Sequence, residues 1–192
     1  IGAFDNDGNG SKSGHVRIFA YNGTSWTQLG QDIDGEVAGD ESGHSVSLSS
    51  DGNTVAIGAR LNDDSYFNAG HARIFNYNGT SWNQLGQDID GEAAGDQSGH
   101  SVSLSADGNT VSIGSANNDG NGSNSGHVRI YNYNGSSWNQ LGNDIDGESA
   151  GDLSGRVSLS SDGNTVAIGA YGNDGNGSAS GHVRVYNSTP FL

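Results

Sequence analysis

Two acidic patterns recur along the chain, and each could do chemistry. The first reads DNDGNG. Asp5, Asp7 and Asn9 alternate, and Gly10 follows. Oxygen ligands at alternate positions on a tight glycine turn suit a hard cation, and the run matches the first half of a calcium loop. Asn117, Asp119 and Asn121, with Gly122, repeat it with one carboxylate fewer. Asp174 and Asn176 repeat it again, with Gly172 at the first ligand position. A further copy, LNDDSYF, keeps only Asp63 in register. No glutamate stands at the twelfth position of any copy, so an Asn/Asp/Gly turn is the competing reading. Calcium is the expected cofactor, binding first at Asp5–Gly10, the copy with two carboxylates.

The second pattern is QDIDGE or NDIDGE followed by GD. It supplies Asp32, Asp34, Glu36 and Asp40; then Asp88, Asp90, Glu92 and Asp96; then Asp144, Asp146, Glu148 and Asp152. Paired carboxylates can cleave glycosides. Three near-identical copies argue against that, because an active site needs one asymmetric constellation. The expected roles are strand capping, acceptance of backbone N–H bonds, or weak cation binding. No nucleophile–base pair, phosphate loop or cofactor motif is present, so the chain reads as no enzyme.

His15, His71, His127 and His182 recur with Arg17, Arg73, Arg129 and Arg184 two residues later; His44 and His100 form a second set. One His per repeat lies too far from the next for a shared metal site. Each Arg is expected to pair with a carboxylate of the neighbouring repeat. Asn22, Asn78 and Asn134 occupy N-G-[ST] sequons and Asn187 an N-S-T sequon, which are either glycosylation acceptors or good turns.

These groups sit on a repeat. SGHVRIF from Ser13 returns as AGHARIF from Ala69, SGHVRIY from Ser125 and SGHVRVY from Ser180, at spacings of 56, 56 and 55 residues. The shorter spacing reflects SGRVSL from Ser154, where Ser42 and Ser98 begin SGHSVSL. Within a unit, residues 44–49 alternate in polarity, as do 53–59, and a DG turn joins them. Residues 71–77 form a third strand, and Asn78-Gly79 turns into a fourth at 81–85. No segment has a helical period. Leu, Ile, Val and Phe make only 35 of 192 residues, which would suggest disorder were they not so ordered along the chain.

Four short antiparallel strands per unit predict an all-β fold, a β-propeller of four-stranded blades with a 56-residue repeat, about 3.4 blades in this chain. Small residues would let sheets approach closely, and Trp26, Trp82 and Trp138 read as blade-to-blade packing. Residues 1–41 are expected to form a partial blade (strands three and four), 42–97 and 98–153 full blades, 154–187 strands one to three, and 188–192 a C-terminal linker. Such a set cannot close a ring. The expected partners are therefore the remaining blades of a parent propeller or a partner chain.

The formal charge is −15, with Lys12 the only lysine. That excludes phosphate backbones as partners, so no nucleic acid is expected. No apolar run is long enough to insert in a membrane. No signal peptide is visible, so any export signal is expected to lie outside this chain. Without cysteine there are no disulfides or thiolate sites.

SGHSVSLSSDGNTVAIGA and GHVRIYNYNGSSW resemble FG-GAP repeats, the blades of integrin-α-type propellers. Gly43, Ser45, Val46, Asp51, Gly52, Val55, Gly58 and Ala59 fit that pattern, as do Gly126, Val128, Ile130 and Tyr131. The family's calcium loop sits in the first hairpin, where this chain has only SSDGNT, so those ligands do not transfer. The terminal NSTPFL resembles the linker before a type IX secretion sorting domain in Bacteroidetes proteins. The resemblance implies a secreted or cell-surface module, extracellular, presenting loops to a protein or glycan ligand, as in adhesion. A lectin with one sugar site per blade and an accessory domain of a secreted enzyme are the alternatives.

Overall fold

A computed structural model describes residues 1–187. The expected linker at 188–192 lies outside them. The structure is all-β, built from repeated antiparallel sheets. The first sheet contains β1 (Gly2–Ala3), β2 (His15–Val16), β3 (Phe19–Tyr21), β4 (Trp26–Gln28) and β5 (Ile33–Asp34), split into two ladders, β1–β2–β5 and β3–β4. The second contains β6 (Ser45–Leu48), β7 (Thr54–Ala59), β8 (His71–Tyr77), β9 (Trp82–Gln84) and β10 (Ile89–Asp90). The third repeats it as β11 (Ser101–Leu104), β12 (Thr110–Ser115), β13 (His127–Tyr133), β14 (Trp138–Gln140) and β15 (Ile145–Asp146). The fourth has β16 (Ser154–Leu159), β17 (Thr165–Ala170) and β18 (His182–Asn187).

The outer strand departs from expectation. It is broken in two, and its second half lies in the stretch read as a connection. β9 covers only Phe75–Tyr77 of β8, while Ile89 and Asp90 pair with Ala72 and His71. Pairing the exposed first half of β8 satisfies backbone groups that would otherwise stay open. Between the halves, Leu85 N–H still donates to Ile74 O at 2.8 Å, and Gly86 follows at φ +69°.

Sheets stack face to face, with one apolar core per junction. Val16, Ile18 and Ile33 of the first sheet meet Val55, Ile57, Phe75 and Trp82 of the second. Ala56, Ala72, Ile74 and Ile89 then meet Val102, Leu104, Val111, Ile113, Tyr131 and Trp138 of the third. Val128 meets Leu159, Val166 and Ile168 of the fourth. Covered on both faces, β7 and β12 are buried at every residue, whereas β17 alternates. Contact is close because glycine permits it. A Cβ on Gly58 would fall on the Gly99 carbonyl oxygen of the next sheet, and one on Gly114 on that of Gly155.

The first strands lie side by side as strands around a common axis would. Leu104 N–H donates to Ser47 Oγ at 3.0 Å, and Leu159 N–H to Ser103 Oγ at 2.9 Å. A second backbone stitch joins the segment before each third strand to the segment before the next first strand. Ser42 N–H donates to Ser13 O, Ser98 N–H to Ala69 O, and Ser154 N–H to Ser125 O. These segments hold seven non-glycine residues at positive φ, between 47° and 56°: Lys12, Glu41, Asn68, Gln97, Asn124, Leu153 and Ala179.

Candidate functional site: the acidic junctions between sheets

The loops read as calcium sites are occupied with their own backbone. Asp7 Oδ1 accepts from Lys12 N–H at 2.8 Å, and Asp119 Oδ1 from Asn124 N–H at 2.7 Å. Asp174 does the same for Ala179, and Asp63 for Asn68. Each of these bonds holds one of the positive-φ residues in place. Asn9 donates its amide to the Gly35 and Glu36 carbonyls, as Asn121 does to Gly147 and Glu148. The Asn176 N–H donates to Ser180 Oγ. Asp5 pairs with Lys12 at 3.3 Å. Asn117, half-buried, makes no side-chain bond among those that tie the loop. None of Asp5, Asp7, Asp119 and Asp174 belongs to any of the carboxylate–imidazole groupings found among the described residues.

Those groupings form elsewhere, three of them at the junctions between sheets and one, around His15, inside the first sheet. His15 meets Asp32 and Asp34; His71 meets Glu36, Asp64 and Asp88; His127 meets Glu92 and Asp144; His182 meets Glu148 and Asp152. The sequence put these histidines at the start of the third strands, but not the carboxylates around them. The glutamate of one sheet reaches the histidine and arginine of the next. The DIDGE segment runs along the outer edge as β5, β10 or β15, and the glycine inside it abuts the backbone just before the third strand of its own repeat (Ser13, Ala69 or Ser125) so closely that no side chain fits.

The arginines pair across sheets as the sequence suggested. Arg73 lies 3.2 Å from Glu36, Arg129 3.5 Å from Glu92 and Arg184 3.5 Å from Glu148. Each also donates to a backbone carbonyl of the preceding sheet: Asp34 at 2.8 Å, Asp90 at 2.6 Å and Asp146 at 2.7 Å. Each guanidinium covers an aromatic ring of its own strand, Phe75, Tyr131 or Tyr186. Arg17 instead pairs within its own sheet, at 3.0 Å from Asp32.

Buried aspartates complete each junction. Asp40, Asp96 and Asp152 are each 3% exposed. Asp40 accepts from the Glu36 and Val37 N–H groups, Asp96 from Ala93 and Asp152 from Ser149. Asn62, Asn118 and Asn173 of the following sheet donate to them at 3.3, 3.0 and 3.0 Å. These bonds give the buried carboxylate oxygens the partners that burial demands.

The electrostatics are uneven. Burial pushes the Glu36 carboxyl above its ordinary range, and the charges of Asp88, Asp64 and Asp40 add to this against the opposing pull of Arg73. Burial likewise raises Asp90, with Asp88 and Asp64 contributing. His71 and His127 are both held below the usual imidazole value, first by burial and then by the arginine two residues on. They are neutral imidazoles at pH 7, with a lone pair to offer.

The tryptophans seal the same junctions. Trp82 Nε1 donates to Leu29 O at 2.8 Å, and Trp138 Nε1 to Leu85 O at 2.8 Å. Gln31 and Gln87 bracket those residues through the backbone N–H and C=O of Trp82 and Trp138. The break in the outer strand is thus the seat for the next sheet's indole.

No family model and no curated protein matches the chain. Among solved structures, it is similar to a candidate 6-phosphogluconolactonase from Bacteroides uniformis, with TM-score 0.61 and 13% identity over 97% of this chain. A hydrazine synthase structure from Kuenenia stuttgartiensis follows, with TM-score 0.53 and 13% identity over 90% of this chain. TolB from Acinetobacter baumannii has TM-score 0.48 and 14% identity over 93%. The lactonase-like structure is β-propeller-like. The chain spans 49% of the first of these, 40% of the second and 39% of the third. At such identities the likeness shows the fold: this chain is a β-propeller-type module.

Proposed function

We propose that the chain is a non-catalytic binding module of a secreted or cell-surface protein, presenting its loops to a protein or glycan. One observation carries this reading. The side chains able to do chemistry recur at each junction and are engaged there in holding sheets together: arginine to glutamate and carbonyl, aspartate to backbone N–H, histidine among carboxylates. The resemblance to FG-GAP repeats supports an extracellular setting and an adhesion-type role. The lectin alternative is weakened, because Trp82 and Trp138, its natural stacking platforms, are 4% and 3% exposed.

Two assays test the proposal on the same protein. Glycan and extracellular-protein arrays are expected to give saturable binding that follows the exposed loops. Steady-state assays with sugar lactones and aryl glycosides are expected to show no turnover. Turnover that His127→Gln or Asp144→Asn abolishes without unfolding the chain would replace the binding reading with an enzymatic one.

A further inference from the structure

The four carboxylate–imidazole clusters are not equal. Three offer three donors each, and the fourth, around His71, offers Glu36, Asp64 and Asp88 as well as the imidazole. The extra donor is Asp64. The residues at its position in the other sheets are Gly8, Gly120 and Gly175. One ring nitrogen of His71 and one oxygen from each of the three carboxylates all lie within 4.8 Å of one another. His71 is 1% exposed, and its Nδ1 is buried without a hydrogen-bond partner. Burying an imidazole nitrogen unpaired is costly unless something else takes its lone pair or proton.

We propose that His71, Glu36, Asp64 and Asp88 form a binding site for a first-row divalent metal ion, with zinc(II) as the best-fitting occupant. One nitrogen and three carboxylate oxygens make a mixed set. Calcium prefers oxygen alone, whereas zinc takes imidazole and carboxylate together in fours. Donors around a tetrahedral zinc stand about 3.4 Å apart, given bonds of about 2.1 Å. The cluster therefore contracts slightly on binding, which the exposed Glu36 and Asp64 side chains permit. Three carboxylates held this close repel one another, and a bound cation would offset that repulsion. Glu36 belongs to the first sheet and the other three donors to the second, so the ion would clamp the two sheets together.

The test uses the full chain, stripped with EDTA and titrated with zinc(II), manganese(II) and calcium by calorimetry. One zinc per chain is expected, with a rise in melting temperature. Asp64→Gly, which installs the residue of the other three sheets, should weaken zinc binding about tenfold or more. Gly120→Asp should add a second zinc at His127, Glu92 and Asp144. Cobalt(II) should give a visible spectrum in the wild type that Asp64→Gly loses. Unchanged zinc affinity in a folded Asp64→Gly variant, no zinc binding by the wild type, or tighter binding of calcium than of zinc would overturn the assignment.

Discussion

Trp26 and Trp138 occupy the same place in the repeat and live in opposite surroundings. Trp138 is 3% exposed, its indole N–H bonded to Leu85 O of the preceding sheet. Trp26 is 68% exposed, and its ring lines an open apolar recess of about 430 Å³ with Ile1, Ile18, Phe19 and Leu48. The difference lies wholly in the neighbour, since both rings lean on the tyrosine of their own sheet, Tyr21 or Tyr133, at 5.2 Å. In a stacked-sheet architecture, a residue's contribution belongs to the junction and not to the repeat that encodes it. The same holds at the other end of the series. Leu141, the counterpart of the Leu29 and Leu85 that receive an indole, is 47% exposed.

The largest effect should separate the tryptophans themselves. Trp138→Ala removes a packed ring and a buried hydrogen bond and should cost about 3–5 kcal/mol, whereas Trp26→Ala should cost within about 0.5 kcal/mol. Urea midpoints read the contrast directly, and equal losses would break it. Next come the arginines. Arg129→Ala strips a buried guanidinium from Glu92 and from the Asp90 carbonyl, and a loss of about 2–3 kcal/mol is expected. Arg17→Ala, with a half-exposed pair inside one sheet, should lose at most about 1 kcal/mol.

Smaller differences sharpen the comparison along the inner strands. Ser103 Oγ accepts from Leu159 N–H across a junction, while Ser158, its counterpart in the fourth sheet, is exposed. Ser103→Ala should therefore cost about 1–2 kcal/mol and Ser158→Ala close to nothing, again by urea midpoint. A further contrast is the pH response of His100, whose ring meets that of His44 at a tilt, 5.3 Å between centroids. Burial first, then Arg156, His44 and Arg60, hold its imidazole at about 4. As pH falls below the ordinary value near 6.5, the unfolded chain takes up this proton and the folded chain does not. Stability drains away until the folded imidazole titrates near pH 4. His100→Asn should flatten that part of the stability–pH curve; an unchanged slope would place the histidine in water.

Much of this was legible in the sequence. Period-two alternation and the DG and NG turns located β7 and β8 closely, because their signals are local. The double burial of β7 followed from the stacking. The broken outer strand was not legible, since Ile89-Asp90 carries no strand signature and is recruited by the unpaired half of β8. Alternating Asp and Asn serve an ion and an Asx-type turn equally well at the level of spacing, and the bond from Lys12 N–H to Asp7 Oδ1 is a role that spacing does not announce. The His71 cluster draws on residues 36, 64, 71 and 88, brought together by the junction. Its one sequence signal was Asp64 standing where the other copies have glycine.

The seven positive-φ residues bear on how such a chain tolerates mutation. Their side chains are of six kinds, from lysine to leucine, while their backbone is held in a conformation that costs an L-residue roughly 1–2 kcal/mol. A tally of residue frequencies would rank these positions among the most permissive in the molecule. Geometrically they are among the most fixed. Drift can rewrite their chemistry freely yet leaves the same strain in every copy. A consensus-designed repeat would inherit that strain undiminished, and glycine, absent from all seven copies, is the one residue that would release it.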